Sequence, residues 1–532
     1  MLEKKKMVLF AGILFIVMFS GCLYYEDPTP QDGDFINKNY VEVKVRNEEF
    51  APTDTFIFNW NGAKYIFYNA DLVLCMNFNN NTDIGENSTK AVDISHYKNN
   101  ATLYGPTYIR GVFGKALSFD GIDDYAIIPD SSSLDLIDAM TIEFWILVRE
   151  FPKSSVAGSN YATVISKGDI ELNNGIPWKL VISDNGYLGF VTVSPNGESA
   201  GGYSIIPLSP NEWTHIVITF NLSEGQIRYY KNGELVYSET KTSPLYVDDV
   251  NIILGQEYYN GTLSPFTQYF NGAVDELRIY KRSLTPDEVK MHYKSSIWRE
   301  QPYLMYFYVN ITGLSEGMYT FYAWSNDTQG YTNWTSPRTV TIDLTPPTVK
   351  ILYPEPKTYK DPISGIKISA TDNTGIDSVV AEVNGVNFTL VFKDGYYVNE
   401  TVSFNEGSHI IKVYVYDMAG NVAYEELEFS IGEVEEFNLV MWGYVYYAYY
   451  QKLLPKFNES YDKALKLGID NETLTQVIAL KEKSEKEWEL AWENGHPLIS
   501  LDIKTFIHLR KAYLYLKEAE TILEEFLAST GS

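Results

Sequence analysis

The run Asn271-Gly272-Ala273-Val274-Asp275-Glu276-Leu277-Arg278-Ile279-Tyr280, closing on Arg282-Ser283-Leu284-Thr285-Pro286-Asp287-Glu288, reads as a long strand with period-two alternation. Leu277 and Ile279 share one parity and face a core if the alternation holds, and Asp275 shares that parity. Its carboxylate is therefore expected to point inward or into a crevice, where a charge must be paired or bind a cation. Working outward, Thr141-Ile142-Glu143-Phe144-Trp145 and Glu212-Trp213-Thr214-His215-Ile216-Val217 repeat the pattern. Ile142, Phe144 and Ile146 fall on one face, and Ile216, Ile218 and Phe220 on another. Lys231-Asn232-Gly233-Glu234-Leu235 is a hairpin with the Asn-Gly pair that a type I′ turn favours. Two antiparallel sheets stacked on such faces make a sandwich.

Together with Phe119-Asp120-Gly121 and Asp123-Asp124-Tyr125, these segments occur in an order that resembles the laminin-G-like, concanavalin A-like jelly roll, over residues 70–296. The resemblance implies a structural calcium ion near the rim, for which the carboxylates at hand are Asp93, Asp120, Asp123 and Asp275. The alternative is that Asp275 accepts backbone N–H groups and steadies a turn. His96-Tyr97-Lys98 departs from the Gly-Asn-Gly turn common in the family, which counts against a ligand role for the loop that carries Asp93. The resemblance also implies glycan binding by aromatic faces set beside amides and carboxylates; the candidates in or near loops are Trp178, Tyr187, Tyr203, Tyr258, Tyr259 and Tyr269.

The fold class expected is mainly β and multidomain: a jelly roll, immunoglobulin-like sandwiches and a C-terminal helical bundle, in keeping with 532 residues and roughly 100 to 200 per domain. Residues 37–69 and 302–344 each supply three alternating strands, too few to fold alone, so they are expected to form one fibronectin type III or immunoglobulin-like sandwich into which the jelly roll is inserted. Thr345-Pro346-Pro347 marks a boundary. Residues 345–432 resemble the immunoglobulin-like domains of microbial surface proteins, with Ser369-Ala370-Thr371-Asp372-Asn373 and Tyr416-Asp417-Met418-Ala419-Gly420-Asn421 as turns. In residues 433–532 the period becomes 3.6: an apolar helix from Phe437 that ends at Pro455, one capped by Asp470, and one striped by Phe506, Leu509, Tyr513, Leu516, Leu523 and Leu527.

Residues 1–22 read as a secretory signal: Lys4, Lys5 and Lys6, an apolar run from Met7 to Phe19, then Ser20-Gly21-Cys22, with Cys22 placed to receive lipid. The apolar run is short against the ~20 residues that span a bilayer, although an uncleaved anchor and full release are the alternatives. All three readings place residues 35–532 outside the membrane, and the localisation expected is extracellular, at the cell surface and membrane-anchored, after a linker at residues 23–36 that carries Pro28 and Pro30 and reads as a tether. Sequons at Asn80, Asn87, Asn100, Asn221, Asn260, Asn310, Asn326, Asn333, Asn387, Asn399, Asn458 and Asn471 make these residues glycosylation candidates and suit an exported chain. A net charge of −27 argues against nucleic acid as partner. Cys22 and Cys75 are the sole cysteines, and Cys75 lies in an apolar strand.

Glycoside hydrolysis needs two carboxylates across the scissile bond, commonly Glu-x-Asp-x-x-Glu on a strand in such folds, and no such run occurs. Asp169 and Glu171 share a strand face in a segment that reads as an edge turn. No metal-binding His pair at helical spacing and no Gly-x-Ser-x-Gly elbow is present. The sequence is thus read as a non-catalytic cell-surface binding or adhesion protein that recognises glycan or another envelope component through the jelly roll, with calcium as the one cofactor considered. A structural envelope protein that binds neighbouring protein is the rival, and a polysaccharide-active enzyme the third reading.

Overall fold

The structure, a computed structural model, describes residues 22–49, 51–153, 160–169, 175–194, 196–432, 436–492 and 503–529. The signal segment from Lys4 to Gly21 and Glu171 lie outside the described residues. The chain divides into two compact units, Met1–Ile342 and Asp343–Ser532.

In the first unit, two eight-stranded antiparallel sheets face one another. One is centred on Ala139–Val148, flanked by Thr214–Asn221 and Asn271–Tyr280; the other runs through Ile176–Ser183, Tyr161–Lys167, Ile252–Leu254 and Tyr125–Ile128. Ile142, Phe144 and Ile146 of the first sheet, with Ile216, Ile218 and Phe220 beside them, pack against Trp178, Leu180 and Ile182 of the second. This is the jelly-roll sandwich that the alternation anticipates, and burial of those side chains is the force that holds its sheets together.

The same unit contains a smaller sandwich. Tyr40–Glu48 pairs along its length with Leu304–Thr312, and Thr53–Trp60 pairs with Gly317–Asp327, so strands from both sides of the jelly roll share each sheet. Phe56, Phe58 and Phe67 enclose Phe307 between these sheets. Ser295–Gln301 crosses the expected boundary at residue 296 and forms an edge of this sandwich.

The expected tether at residues 23–36 is corrected. Cys22–Glu26 pairs antiparallel with Tyr40–Glu48, and Phe35–Ile36 pairs parallel with Arg338–Ile342. Leu23 is buried, Tyr25 lies edge-on to Phe321, and Thr29 exchanges hydrogen bonds with the backbone of Lys44. The prolines suggested a solvated tether, whereas Leu23 and Tyr25, two residues apart, add apolar surface to the same core.

The two sandwiches meet around a buried polar network. Glu143 is 1% exposed and receives Arg278 Nη1 at 3.1 Å, His215 Nε2 at 3.2 Å and His292 Nδ1 at 2.8 Å. An ionised carboxylate only accepts, so those imidazole nitrogens carry the protons. Arg278 also pairs with Glu276, which takes Asn77 Nδ2 at 2.8 Å and Ser296 Oγ at 2.9 Å. Ser296 belongs to the small sandwich and Glu276 to the jelly roll. His292, on the helix Pro286–Tyr293, stacks on Phe67 of the small sandwich at 4.7 Å. Thr285 and Glu288 close a capping box at the start of that helix.

The second unit holds a four-stranded and a five-stranded sheet packed around Ile368, Val379, Val413 and Phe429. Its helices span Glu436–Lys466, Asn471–Trp492 and Ile503–Ser529. The first runs through Pro455, where the sequence reading ends it, because burial of Phe457 and Ala464 beyond it in the helical core offsets the lost N–H bond. Among the described residues no helix is long and apolar enough to cross a membrane.

Two outcomes check the network. Glu143→Ala leaves the Arg278 guanidinium with a lost partner in the interior and is expected to destabilise the first unit by about 3 to 5 kcal/mol, read by chemical denaturation. Burial, with Arg278 and His292 nearby, holds the His215 imidazole below its usual value of 6.5, so the unfolded chain takes up more protons as pH falls below that point. Burial opposes ionisation of Glu143, but His292 and Arg278 outweigh it and hold the carboxyl well below 4.5, which extends the loss to lower pH. The melting temperature of the first unit should therefore fall on acidification from pH 6.5, and less steeply in His215→Gln.

Candidate functional site

A cleft of about 390 Å³ opens on the outer face of the second jelly-roll sheet. Along Ile176–Ser183, Trp178, Leu180 and Ile182 point into the core, so Lys179 takes the opposite parity. Its ammonium does not reach open water. The segment from Gly255 to Phe270 folds over it, and Lys179 is 4% exposed. Glu257, from that segment, is 8% exposed and sits with Oε2 at 2.8 Å from Lys179 Nζ. Thr163 Oγ1 donates to the same oxygen at 3.1 Å, and the Tyr161 hydroxyl donates to Oε1 at 3.3 Å.

Four tyrosines and a phenylalanine wall the opening: Tyr161, Tyr203, Tyr258, Tyr259 and Phe266. Tyr161 and Tyr203 lie with centroids 5.2 Å apart, and Lys179 Nζ is 4.7 Å from the first ring and 5.9 Å from the second. Tyr259 meets Phe266 edge to face at 4.8 Å. Burial pulls the Lys179 ammonium toward deprotonation, yet Glu257 with the Tyr161 and Tyr203 phenols outweighs it and holds the group above its usual value. Burial and the adjacent Glu257 carboxylate push the Tyr161 phenol up. The result is a floor with fixed charges and a half-exposed aromatic rim.

The covering segment is pinned from both sides. Asp169 is 1% exposed and accepts from the backbone N–H groups of Asn260, at 3.0 Å, and Gly261, at 2.7 Å. Asn260 and Gly261 both have positive φ, as a tight hairpin between Tyr258–Tyr259 and Thr262–Leu263 requires. Gln256, fully buried, donates to Thr267 O and accepts from Thr267 Oγ1 and Glu257 N. The Asp169 carboxylate thus holds a turn, not a reacting group.

Of the six aromatic candidates, Tyr203, Tyr258 and Tyr259 come together in this cleft. Trp178 does not join them: it is 2% exposed because its parity sends it into the core. Tyr187 stands at the start of Tyr187–Val193 away from the cleft, and Tyr269 borders a separate depression beside Phe270. Sequence reasoning missed Tyr161, Lys179, Glu257 and Phe266; a lone lysine between Trp178 and Leu180 was the signal available.

The four carboxylates considered for calcium are not brought together. Asp120 and Asp123 gather with Asp124, their oxygens within 4.8 Å of one another. Asp93 instead accepts from Cys75 N, Ser95 N, Ser95 Oγ and Asn99 N, and so clamps its own loop to the neighbouring strand. Asp275 accepts from Val112 N at 2.9 Å, Phe113 N at 3.2 Å and Glu276 N at 2.8 Å, the turn-steadying alternative. A register shift in its pairing with Ala139–Val148 and a positive φ at Glu276 accompany the burial of both acidic residues; alternation foresees a buried Asp275 but not a buried Glu276 beside it. Cys22 is exposed, and all the sequon asparagines are exposed or half-buried.

The paired sheets have the architecture of a concanavalin A-like jelly roll. Residues 120–290 match the family model of the concanavalin A-like lectin/glucanases superfamily, and that segment is a laminin-G-like domain. A stretch of 88 residues is 38% identical to the human adhesion G-protein coupled receptor D1, and 87 residues are 37% identical to the bovine receptor. Each match covers 16% of this chain and 9% of the receptor, so the chain spans about a tenth of the relatives it matches. Among solved structures, domain 4 of an extracellular arabinanase from Geobacillus stearothermophilus, in complex with arabinotriose, is similar at 18% identity and a TM-score of 0.32, over 41% of this chain and 97% of that one. A sialidase carbohydrate-binding module from Ruminococcus gnavus, bound to α2,6 sialyllactose, is similar at 15% identity and 0.27, over 33% and 94%.

Asp169→Ala removes the acceptor for two hairpin amides. Hydrogen exchange at Asn260 and Gly261 is expected to speed up by at least roughly tenfold while the amides of Ile176–Ser183 keep their protection.

Proposed function

We propose that this chain is an extracellular, surface-anchored binding protein whose jelly roll takes a glycan in the cleft over Lys179 and Glu257, without cleaving it. The observation that supports this reading is the combination of a tyrosine-rich rim with a fixed donor and acceptor at its floor: ring faces suit the C–H face of a sugar, and pre-placed polar groups orient its hydroxyls. Glu257 is the one carboxylate among the described residues lining the cleft, and it is held by Lys179, Thr163 and Tyr161. Hydrolysis would need a second carboxylate facing it. Anchoring through Cys22, by lipid or an uncleaved signal, belongs to the same reading. So does calcium in the jelly roll, a reading supported by the grouping of Asp120 and Asp123 with Asp124; metal analysis of the purified chain that finds none would end that part.

The rival, an envelope component that binds neighbouring protein, is favoured by one feature. Glu234–Thr240 is an edge strand of the jelly roll with Leu235, Val236 and Tyr237 about half exposed. A glycan array probed with the intact chain separates the two. Binding that Tyr203→Ala and Tyr258→Ala each weaken by roughly tenfold is the expected result. A silent array, with binding to isolated envelope protein that Val236→Lys abolishes, would favour the rival.

A further inference from the structure

We propose that a second cleft, where the jelly roll meets the small sandwich, seats one neutral saccharide unit. The cavity measures about 560 Å³ and lies on the side of Ser295–Gln301 away from that sandwich's core. Three rings wall it. They are Trp298, Tyr308 and Phe113 of the jelly roll: Tyr308 meets Phe113 at 6.3 Å, and Trp298 is held by stacking on Tyr306, outside the cavity, at 5.3 Å. The opposite edge is the turn Asn79-Asn80-Asn81.

Two members of that turn are committed to holding it. Asn79 Oδ1 accepts from Lys115 N at 2.9 Å, and Asn81 Oδ1 caps the short helix at Asp83 while its Nδ2 donates to Glu300 O at 2.8 Å. Asn80 is different: its φ is +52°, and its side-chain amide makes no hydrogen bond with the described residues, nor does the Trp298 indole N–H. A free amide beside an indole face offers one donor, one acceptor and an apolar plane, which is the complement of a pyranose ring with adjacent hydroxyls.

The edge strand could in principle take a peptide instead, by β-augmentation. It is already occupied. Asn77 Nδ2 binds Ile297 O at 2.9 Å, and Asn81 Nδ2 binds the carbonyls of Arg299 and Glu300, so the acceptors a peptide would need are used. Asp83 and Glu300 set two carboxylates against the single ammonium of Lys115 at the rim, which disfavours a sialic or uronic acid.

The saccharide has two sources, since Asn80-Asn81-Thr82 is a sequon: the first sugar attached to Asn80, or the end of a glycan from outside. Both are tested on the intact chain. In the first arm, peptide mass analysis of protein from its native host reports a sugar mass on Asn80, and the glycosylated chain loses several degrees of melting temperature in Trp298→Ala but not in Trp298→Phe. In the second, chain made without glycosylation and carrying Tyr203→Ala and Tyr258→Ala together to weaken the first cleft is titrated with the methyl glycosides of glucose, galactose, mannose and N-acetylglucosamine. One of them should bind, with affinity lowered roughly tenfold or more by Trp298→Ala and restored in part by Trp298→Phe. Either positive arm supports the proposal and names the source. An unmodified Asn80 together with no glycoside binding, or binding indifferent to Trp298→Ala, overturns it.

Discussion

The joint between the two sandwiches of the first unit is arranged around one buried constraint: Glu143, Glu276 and Arg278 lie in an interior where none can be solvated, so each must be matched by a group brought from elsewhere in the chain. A single arginine cannot satisfy two carboxylates on its own. His215 comes from the next strand, His292 from the helix after the jelly roll, Asn77 from the strand that enters it and Ser296 from the strand that leaves. Replacement of such ion pairs by apolar residues of similar volume is often neutral or stabilising, so their presence is weak ground for calling them a source of stability. Their consequence is geometric. With hydrogen bonds that have few alternative partners, the two sandwiches have one way to dock, whereas Phe67 and Tyr280 alone would tolerate sliding.

The parts of this architecture written in local periodicity were legible in the sequence. Ile142, Phe144 and Ile146 alternate cleanly, and the sheets pack on them; the laminin-G-like resemblance over the same region matches the family found for residues 120–290. The segment after Cys22 misled because proline and acidic content mark solvated chain, while the two side chains that matter there, Leu23 and Tyr25, are too few to register as a pattern. Pro455 misled for the converse reason, since tertiary burial beyond it outweighs a local penalty.

The cleft was half legible. Tyr203, Tyr258 and Tyr259 could be picked out as loop aromatics, but nothing local separates them from Trp178 and Tyr187, whose fate is set by parity and by what covers the sheet. Lys179 and Glu257 stand 78 residues apart in the chain, and their pairing depends on how the covering segment folds back. Alternation anticipates a buried Asp275 but not the buried Glu276 next to it. A bulge between the two changes the parity, and three backbone N–H groups satisfy the Asp275 carboxylate, which the side-chain pattern alone could not separate from a bound cation.

The floor of the cleft also explains why the covering segment has to be rigid. A lysine on the solvent parity of a strand would ordinarily extend into water, and to hold it beneath tyrosine rings costs the hydration of an ammonium ion. Glu257 offsets that cost only while it stays at 2.8 Å, so any motion of the segment that carries it would expose both charges and favour opening further. Asp169 below the hairpin and Gln256 beside Glu257 block that motion with backbone hydrogen bonds at both ends of the loop. A surface that recognises a ligand with few hydroxyl contacts gains most from such preorganisation, because the ordering cost has been met in folding and little is left to be lost on binding.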